Sequence, residues 1–191
     1  MRLVVGLGNP GRDYSGNRHN IGFMCVNHFA KIHGIRLDHS EGKARAGGGK
    51  IGRETVLLAR PQTMMNLSGE SVCRLVARHR VSLDKLIVVH DDMDLPTGKI
   101  RISFDSGSGG HKGINSIVAC LDGRQDFVRL RIGIGRPTAG SRDREEAVIR
   151  YVLSDFAPAE REIILPALAE ASEAILCLIT EGLVPAMNRF N

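Results

Sequence analysis

Three short segments hold the residue types from which a hydrolytic site can be built. Arg18-His19-Asn20 puts an imidazole just ahead of a helical stretch, and His90-Asp91-Asp92-Met93-Asp94 puts carboxylates just behind an apolar one. Asn9 and Asn66 add side-chain amides. An imidazole oriented by a carboxylate can take a proton from water, the carboxylate holding the tautomer and stabilising the cation that forms. Amides can orient an acyl group and stabilise its oxyanion. There is no Gly-x-Ser-x-Gly elbow, which counts against a serine hydrolase of the α/β type. An ester suits a site without a nucleophile, because its alkoxide leaves more readily than an amine. On the residues alone this reaches a hydrolase of a phosphate-bearing ester. A structural histidine and a turn of solvated acids stay open as the plainer readings.

Two other chemistries compete for the same residues. Gly6-Leu7-Gly8-Asn9-Pro10-Gly11 has the spacing of a dinucleotide fingerprint, with Asp38 near where a ribose-binding acid falls. That fingerprint needs a helix opening within the glycines, whereas Pro10 lacks an N–H and helical periodicity resumes only near Asn20. The glycines and Pro10 instead shape a loop that projects Asn9 at the carboxyl end of the first strand. A metal-dependent phosphoesterase using His90, Asp91, Asp92 and Asp94 is the second rival, since such clusters suit Mg²⁺, Mn²⁺ or Zn²⁺. No His-Glu-x-x-His and no paired cysteines support it.

The elements that must position these groups can be read from periodicity and turn signals. Arg2 to Gly6 reads as a buried strand, followed by a helix from about Asn20 to His33 with Ile21, Met24, Cys25, Phe29 and Ile32 inward. Residues 46–51 and 55–60 suggest a hairpin, and Thr63 is a candidate N-cap for a helix to about Arg78 with Leu67, Val72, Leu75 and Val76 inward. Leu86 to His90 is an apolar strand. Residues 99–104 and 127–135 alternate as strands, with a short helix, 114–121, between them. Pro158 to Glu181 is a long amphipathic helix with Ile164, Leu168, Ala171, Ile175 and Leu178 as its core stripe. In 127–135, Arg129 and Arg131 share one face and are expected to point outward together, with Arg101 on the neighbouring strand pattern. Strands mixed with helices predict an α/β fold, a single domain over residues 1–191.

Composition sets outer limits. With 42% hydrophobic and 25% charged residues, the 191-residue chain can bury a sizeable core, which excludes disordered and fibrous classes. Uninterrupted apolar runs such as Leu86 to Val89 and Ile175 to Ile179 fall short of the roughly 20 residues of a membrane span, so no membrane association is expected. Residues 1–6 carry too short an apolar run for a secretory signal, and the chain is read as cytoplasmic. Cys25, Cys73, Cys120 and Cys177 lie about fifty residues apart and are expected as reduced, mostly buried thiols. Net charge is +5, and 20 of the 26 cations are arginine, whose planar fork grips phosphate. A polyanionic partner fits that balance, as does a merely solvated basic surface. With 4% aromatics and no Trp, a base-stacking platform is disfavoured against backbone recognition.

At these residues the sequence resembles bacterial peptidyl-tRNA hydrolases over nearly its whole length. The likeness is carried by Gly6 to Gly11 with Tyr14 and Arg18-His19-Asn20-Ile21-Gly22, by Pro61-x-Thr63-Met64-Met65-Asn66-Leu67-Ser68-Gly69, and by Val89 to Pro96 with Gly98. Gly109-Gly110-His111-Lys112-Gly113 and residues 127–135 complete it. The resemblance implies a monomeric α/β domain, a twisted mixed β-sheet surrounded by α-helices. It implies hydrolysis of the ester between a peptide and the 3′-terminal ribose of tRNA, which releases tRNA from stalled translation, without metal or organic cofactor. It puts the general base at His19 and the orienting acid at Asp91. Asn9 and Asn66 become contacts to the peptidyl-ribose end, Met65 a cleft lining and Tyr14 a contact to the tRNA end. Arg131 matches the family's phosphate-clamping arginine, and the arginines as a class find their partner in tRNA. Three positions depart from the pattern, the least of them Asn17, where threonine is common. Lys112 stands where asparagine is common, and Ser103 replaces a basic clamp residue, with Arg101 the nearest substitute and Arg129 beside it.

Overall fold

The computed structural model describes residues 1–137 and 144–191. Its strands are β1 (Arg2–Gly6), β2 (His39–Glu41), β3 (Ala44–Ile51), β4 (Glu54–Pro61), β5 (Leu86–Asp92), β6 (Ile100–Phe104) and β7 (Val128–Gly133). Its helices are α1 (Ile21–Ile32), α2 (Ser68–His79), α3 (Lys112–Cys120), α4 (Arg144–Val152), α5 (Pro158–Thr180) and α6 (Leu183–Phe190). The strands form one sheet in the order β2-β3-β4-β1-β5-β7-β6. The central four, β4, β1, β5 and β7, run parallel, and β2, β3 and β6 are added antiparallel at the two edges.

Central parallel strands are apolar on both faces because helices must cover both. Successive residues of β1 accordingly feed two cores. Val4 packs with Ile87, Val89, Phe29 and Ile175 on the side of α1 and α5, while Leu3 and Val5 pack with Leu86, Val88, Leu75 and Ile117 on the side of α2 and α3. The chain leaves β1 towards β4 and returns to β5 on the other side. The carboxyl ends of β1 and β5 therefore flank a switch point of the sheet, where the crevice of an open α/β fold lies.

That crevice is narrow on the α1 side because backbones meet there. A Cβ on Gly22 would stand 2.4 Å from the Val89 carbonyl oxygen and 2.5 Å from the Leu7 nitrogen, so only glycine lets α1 start against the ends of β1 and β5. The Phe23 N–H donates to the Leu7 carbonyl at 3.1 Å across the same gap.

Several elements differ from the sequence expectation. The helix after Thr63 starts at Ser68, because Met65–Leu67 form a 3₁₀ turn first, and the Thr63 hydroxyl is buried without a partner among the described residues rather than capping. Leu67 is thereby exposed, and Ile32, in the last turn of α1, is 57% exposed instead of inward. The strand β2, of 3 residues, and the short helices α4 and α6 are not among the elements expected. Cys25 and Cys177 are buried, but Cys73 is half-buried and Cys120 exposed. Among the described residues α5 is the one helix long and apolar enough to cross a bilayer, but Ile164, Leu168, Ala171 and Ile175 are buried in the core, as the sequence stripe required.

Replacing Gly22 by Ala is expected to lower Tm by about 2–12 °C, since overpacking against backbone costs about 1–3 kcal/mol and each kcal/mol moves a domain of this size by about 2–4 °C. Thermal denaturation followed by circular dichroism checks this, and an unchanged Tm would show that α1 shifts freely.

Candidate active site

Asp91 is 3% exposed at the end of β5 and is surrounded by imidazoles. His19, on the 3₁₀ turn Arg18–Asn20 that opens into α1, approaches it with Nδ1 at 2.9 and 3.0 Å from the two carboxylate oxygens. His111, the N-cap of α3, approaches with Nε2 at 2.9 Å. The second nitrogen of His111 is already committed, because its Nδ1 accepts from the backbone N–H groups of Gly113 and Ile114 at 3.1 and 3.2 Å. The proton of His111 must then sit on Nε2, donating to Asp91. A carboxylate facing His19 likewise selects the tautomer with the proton on Nδ1. Nε2 of His19 is left as an unprotonated acceptor.

Burial alone would raise the Asp91 carboxyl. The His19 and His111 rings beside it outweigh that and hold it well below the usual carboxylate range. His90 behaves in the opposite sense. Burial, with His111 nearby, pushes its imidazole down to about 3, so the ring is neutral. Its Nδ1 donates to the Asp91 carbonyl at 2.7 Å, and its edge meets the His111 ring with centroids 4.7 Å apart.

Asn9 is fixed by three bonds. Its N–H donates to Asn20 Oδ1 and its carbonyl accepts from Asn20 Nδ2, both at 2.9 Å, while its own Oδ1 accepts from the Met65 N–H at 2.7 Å. The amide oxygen is thus taken, and Nδ2 remains as a donor. Arg18 anchors the turn that carries His19. It donates to the Ser154 hydroxyl at 2.6 Å, to the Asp155 carbonyl at 2.8 Å and to Glu160 at 2.6 Å, with its guanidinium 4.4 Å from the Tyr151 ring centre.

These groups open onto a cleft of about 440 Å³ lined by Asn9, His19, Met65, Asn66, Asp91, His111 and Lys112, with Val148, Ile149 and Val152 of α4 as an apolar wall. Asn66 and Lys112 are exposed at its rim and Met65 is buried beneath it. Arg131 also lines the cleft and pairs with Asp92, and its partner across the strands is Arg101, which is exposed outside the lining. Tyr14 lies on the 3₁₀ turn Arg12–Tyr14, half-buried and outside the lining.

One placement corrects the sequence reading. Arg129 does not point outward with Arg131. It is 1% exposed and donates to the Gly107 carbonyl at 2.7 Å, because the 105–111 loop folds over it. The alternation of β7 is intact, and it is this loop, invisible to strand periodicity, that buries Arg129. The roles of Arg18, Asn20 and His111 escaped the sequence reading, although all three stand in the motifs it quoted.

The acids considered for a metal are otherwise engaged. Asp92 pairs with Arg131, Asp94 with Arg136, and His90 gives Nδ1 to the main chain. His19, Asp91 and His111 do converge, with one donor atom each within 4.8 Å of the others. Coordination by His111 Nε2 would need the lone pair that its proton occupies, and so would break the α3 cap. The donor set fits a proton-transfer site better than a metal. Asp38 is exposed and paired with Arg36, and the Gly11 loop runs into a 3₁₀ turn, which leaves no helix N-terminus for a pyrophosphate.

The same arrangement has relatives. A family model described as peptidyl-tRNA hydrolase matches residues 3–191. This chain belongs to the peptidyl-tRNA hydrolase family. It is 49% identical over 191 residues to the peptidyl-tRNA hydrolase of Dehalococcoides mccartyi, covering 100% of both chains. It is 48% identical to that of Carboxydothermus hydrogenoformans, covering 100% of this chain and 98% of the relative. The crystal structure of the Acinetobacter baumannii peptidyl-tRNA hydrolase superposes with a TM-score of 0.91 at 37% identity, covering 100% of this chain and 94% of that one. The mixed sheet and surrounding helices are therefore the architecture of the family.

Neutral burial of His90 makes stability depend on pH. The unfolded chain binds a proton at this residue below its ordinary value of about 6.5 and the folded chain only below about 3. Between those values the unfolded state holds more protons, so stability falls as pH is lowered, by up to about 1.4 kcal/mol per pH unit. Urea titrations at pH 7, 6 and 5 should show this slope in the wild type and a shallower one in His90→Asn. Equal slopes would mean that the His90 ring is protonated in the folded protein.

Proposed function

We propose that this chain hydrolyses the ester between a peptide and the 3′-terminal ribose of tRNA by direct attack of water activated by His19. Membership of the peptidyl-tRNA hydrolase family supports the substrate. The observation that carries the mechanism is the tautomer imposed by Asp91, which leaves His19 Nε2 as a free acceptor at the cleft. Nε2 takes a proton from water as its oxygen attacks the ester carbonyl. Asp91 stabilises the imidazolium that results. The carbonyl oxygen becomes an oxyanion, towards which Asn9 Nδ2, the Asn66 amide and the Lys112 ammonium can donate. When the C–O bond to the ribose breaks, the imidazolium returns its proton to the departing alkoxide, and the products are a peptide carboxylate and tRNA. No covalent intermediate and no metal enter these steps.

Arg131, with Arg101 opposite it, is proposed as the phosphate grip on the tRNA stem, in place of the pair the family builds with the residue here occupied by Ser103. Arg129, folded into the 105–111 loop, supports that surface from beneath instead of contacting RNA. Tyr14, half-exposed on its turn, is proposed to meet the tRNA end. The protein is proposed to act as a monomer in the cytoplasm, the compartment of its substrate, with residues 1–191 as a single catalytic domain.

His19→Ala is expected to cut turnover of N-acetyl-aminoacyl-tRNA by about 10²-fold to 10⁴-fold at unchanged Tm, the loss typical for a positioned general base. Asp91→Asn should lose less, because one amide oxygen can still accept from both imidazoles, and the double variant should be no slower than His19→Ala alone. Additive losses would separate the two residues. For Arg131→Ala, KM for tRNA substrates should rise with turnover at saturation retained, and the slope of log affinity against log salt should flatten by about 0.7–0.9. An unchanged KM at every salt concentration would move the phosphate grip elsewhere.

A further inference from the structure

On the opposite side of the ester site from Arg131, two arginines stand face to face with no acid between them. Arg45 of β3 and Arg60 of β4 are directly paired in the antiparallel register. Like charges opposite one another destabilise a sheet. The Arg45 guanidinium has only a 3.4 Å contact to the Ser40 hydroxyl, and the Arg60 guanidinium has no hydrogen bond or ion pair among the described residues. Nε of Arg60 is buried and unpartnered. Burial and the neighbouring Arg45 both disfavour the charged state of Arg60. The nearby carboxylates are spent elsewhere, Glu41 on Arg78 and His79, and Glu70 on Lys43.

The pair is tied to the catalytic loop. The Arg60 guanidinium lies 5.4 Å from the centre of the Phe23 ring, and that ring presses on the backbone of Gly8, where an added Cβ would be 2.7 Å from it. Gly8 precedes Asn9. The sheet order places β4 one strand from β1 on this side, and β7 two strands from β1 on the other. At about 4.8 Å per strand, the backbones at Arg60 and Arg131 are roughly 15 Å apart across the sheet, and strand alternation puts the two side chains on opposite faces, Arg60 on that of α1 and Arg131 on that of α2 and α3.

We propose that Arg45 and Arg60 form a second anion site, which binds a phosphodiester of the last nucleotides at the single-stranded 3′ end of the substrate tRNA. The pair adjoins, through Phe23 and Gly8, the loop that brings Asn9 to the cleft, and the scissile ester is on the terminal ribose, so the phosphates nearest to it belong to the terminal few nucleotides. A peptide of arbitrary sequence presents no constant charge there, whereas every tRNA presents the same phosphates. Paired planar guanidiniums match that group in geometry and sign. The inference rests on the proposed peptidyl-tRNA substrate and adds a contact that the Arg131 face does not supply.

The test uses Arg45→Gln, Arg60→Gln and the double variant, each checked for unchanged Tm, with two substrates: N-acetyl-aminoacyl-tRNA and the corresponding N-acetyl-aminoacyl ester of adenosine, which has no phosphate. The expected result is a KM for the tRNA substrate raised several-fold per substitution, kcat at saturation retained, a salt slope flatter by about 0.7 per lost contact, and an unaltered KM for the adenosine ester. Combination with Arg131→Ala should multiply the KM effects, because the two sites are separate. An unchanged KM and salt slope with tRNA would overturn the proposal. So would an equal loss on both substrates, which would place the pair on the part of the substrate that the two share. Failure of the wild type to hydrolyse either substrate would instead defeat the proposed function, so the two failures are distinct.

Discussion

A single buried carboxylate organises the cleft. Asp91 sits at the end of a central strand, where an ionised group without partners would cost several kcal/mol. It is kept charged by donors from two elements far apart in sequence, His19 before α1 and His111 at the head of α3. Each donor is in turn constrained. His111 must keep its proton on Nε2 because Nδ1 caps α3, and His19 must keep its own on Nδ1 because Asp91 is an acceptor only. The acceptor nitrogen of His19, Nε2, is thus set by Asp91, the same carboxylate that the His111 capping α3 holds from the other side. His90 closes the set from behind, neutral and edge-on to His111.

The close approach of backbones serves the same end. Gly22 brings α1 onto the ends of β1 and β5, and the reciprocal bonds between Asn9 and Asn20 then lock the glycine-rich loop to the turn that bears His19. Arg18 extends this frame outward to Ser154, Asp155 and Glu160, between α4 and α5. One side of that frame is the general-base candidate and the other is the α4 wall of the cleft. A shift of α4 would be felt at His19 through a guanidinium that fills all its nearby acceptors.

Charge is distributed by depth. Buried Asp91 and His90 set proton positions and buried Arg18 and Arg129 hold the turn and loop around them, whereas Arg131, Arg101, Arg45 and Arg60 are half-buried or exposed. Arg131 has Asp92 beside it, while neither Arg45 nor Arg60 has an acid partner among the described residues.

Most of the elements were legible from the chain alone, because their signals are local. β1, α1, the β3–β4 hairpin, β5, β6, β7, α3 and α5 follow from apolar periodicity and from the glycines and prolines between them. The same segments showed a histidine, an acid and two amides suited to ester hydrolysis, and the order of five motifs pointed to the family. What only the tertiary structure decided is whatever depends on contacts across the chain. His19 and Asp91 are 72 residues apart and Asn9 and Met65 are 56 apart, and nothing in either local pattern fixes a strand order that brings them together. The Met65 bond to Asn9 goes with a 3₁₀ turn that delays α2 to Ser68, against a sequence that promised an earlier start. Arg129 was read as exposed from the alternation of its strand, and it is buried because a glycine-rich loop without periodicity covers it. Residue type and spacing determined which chemistry the chain could carry, and long-range packing determined which nitrogen holds each proton.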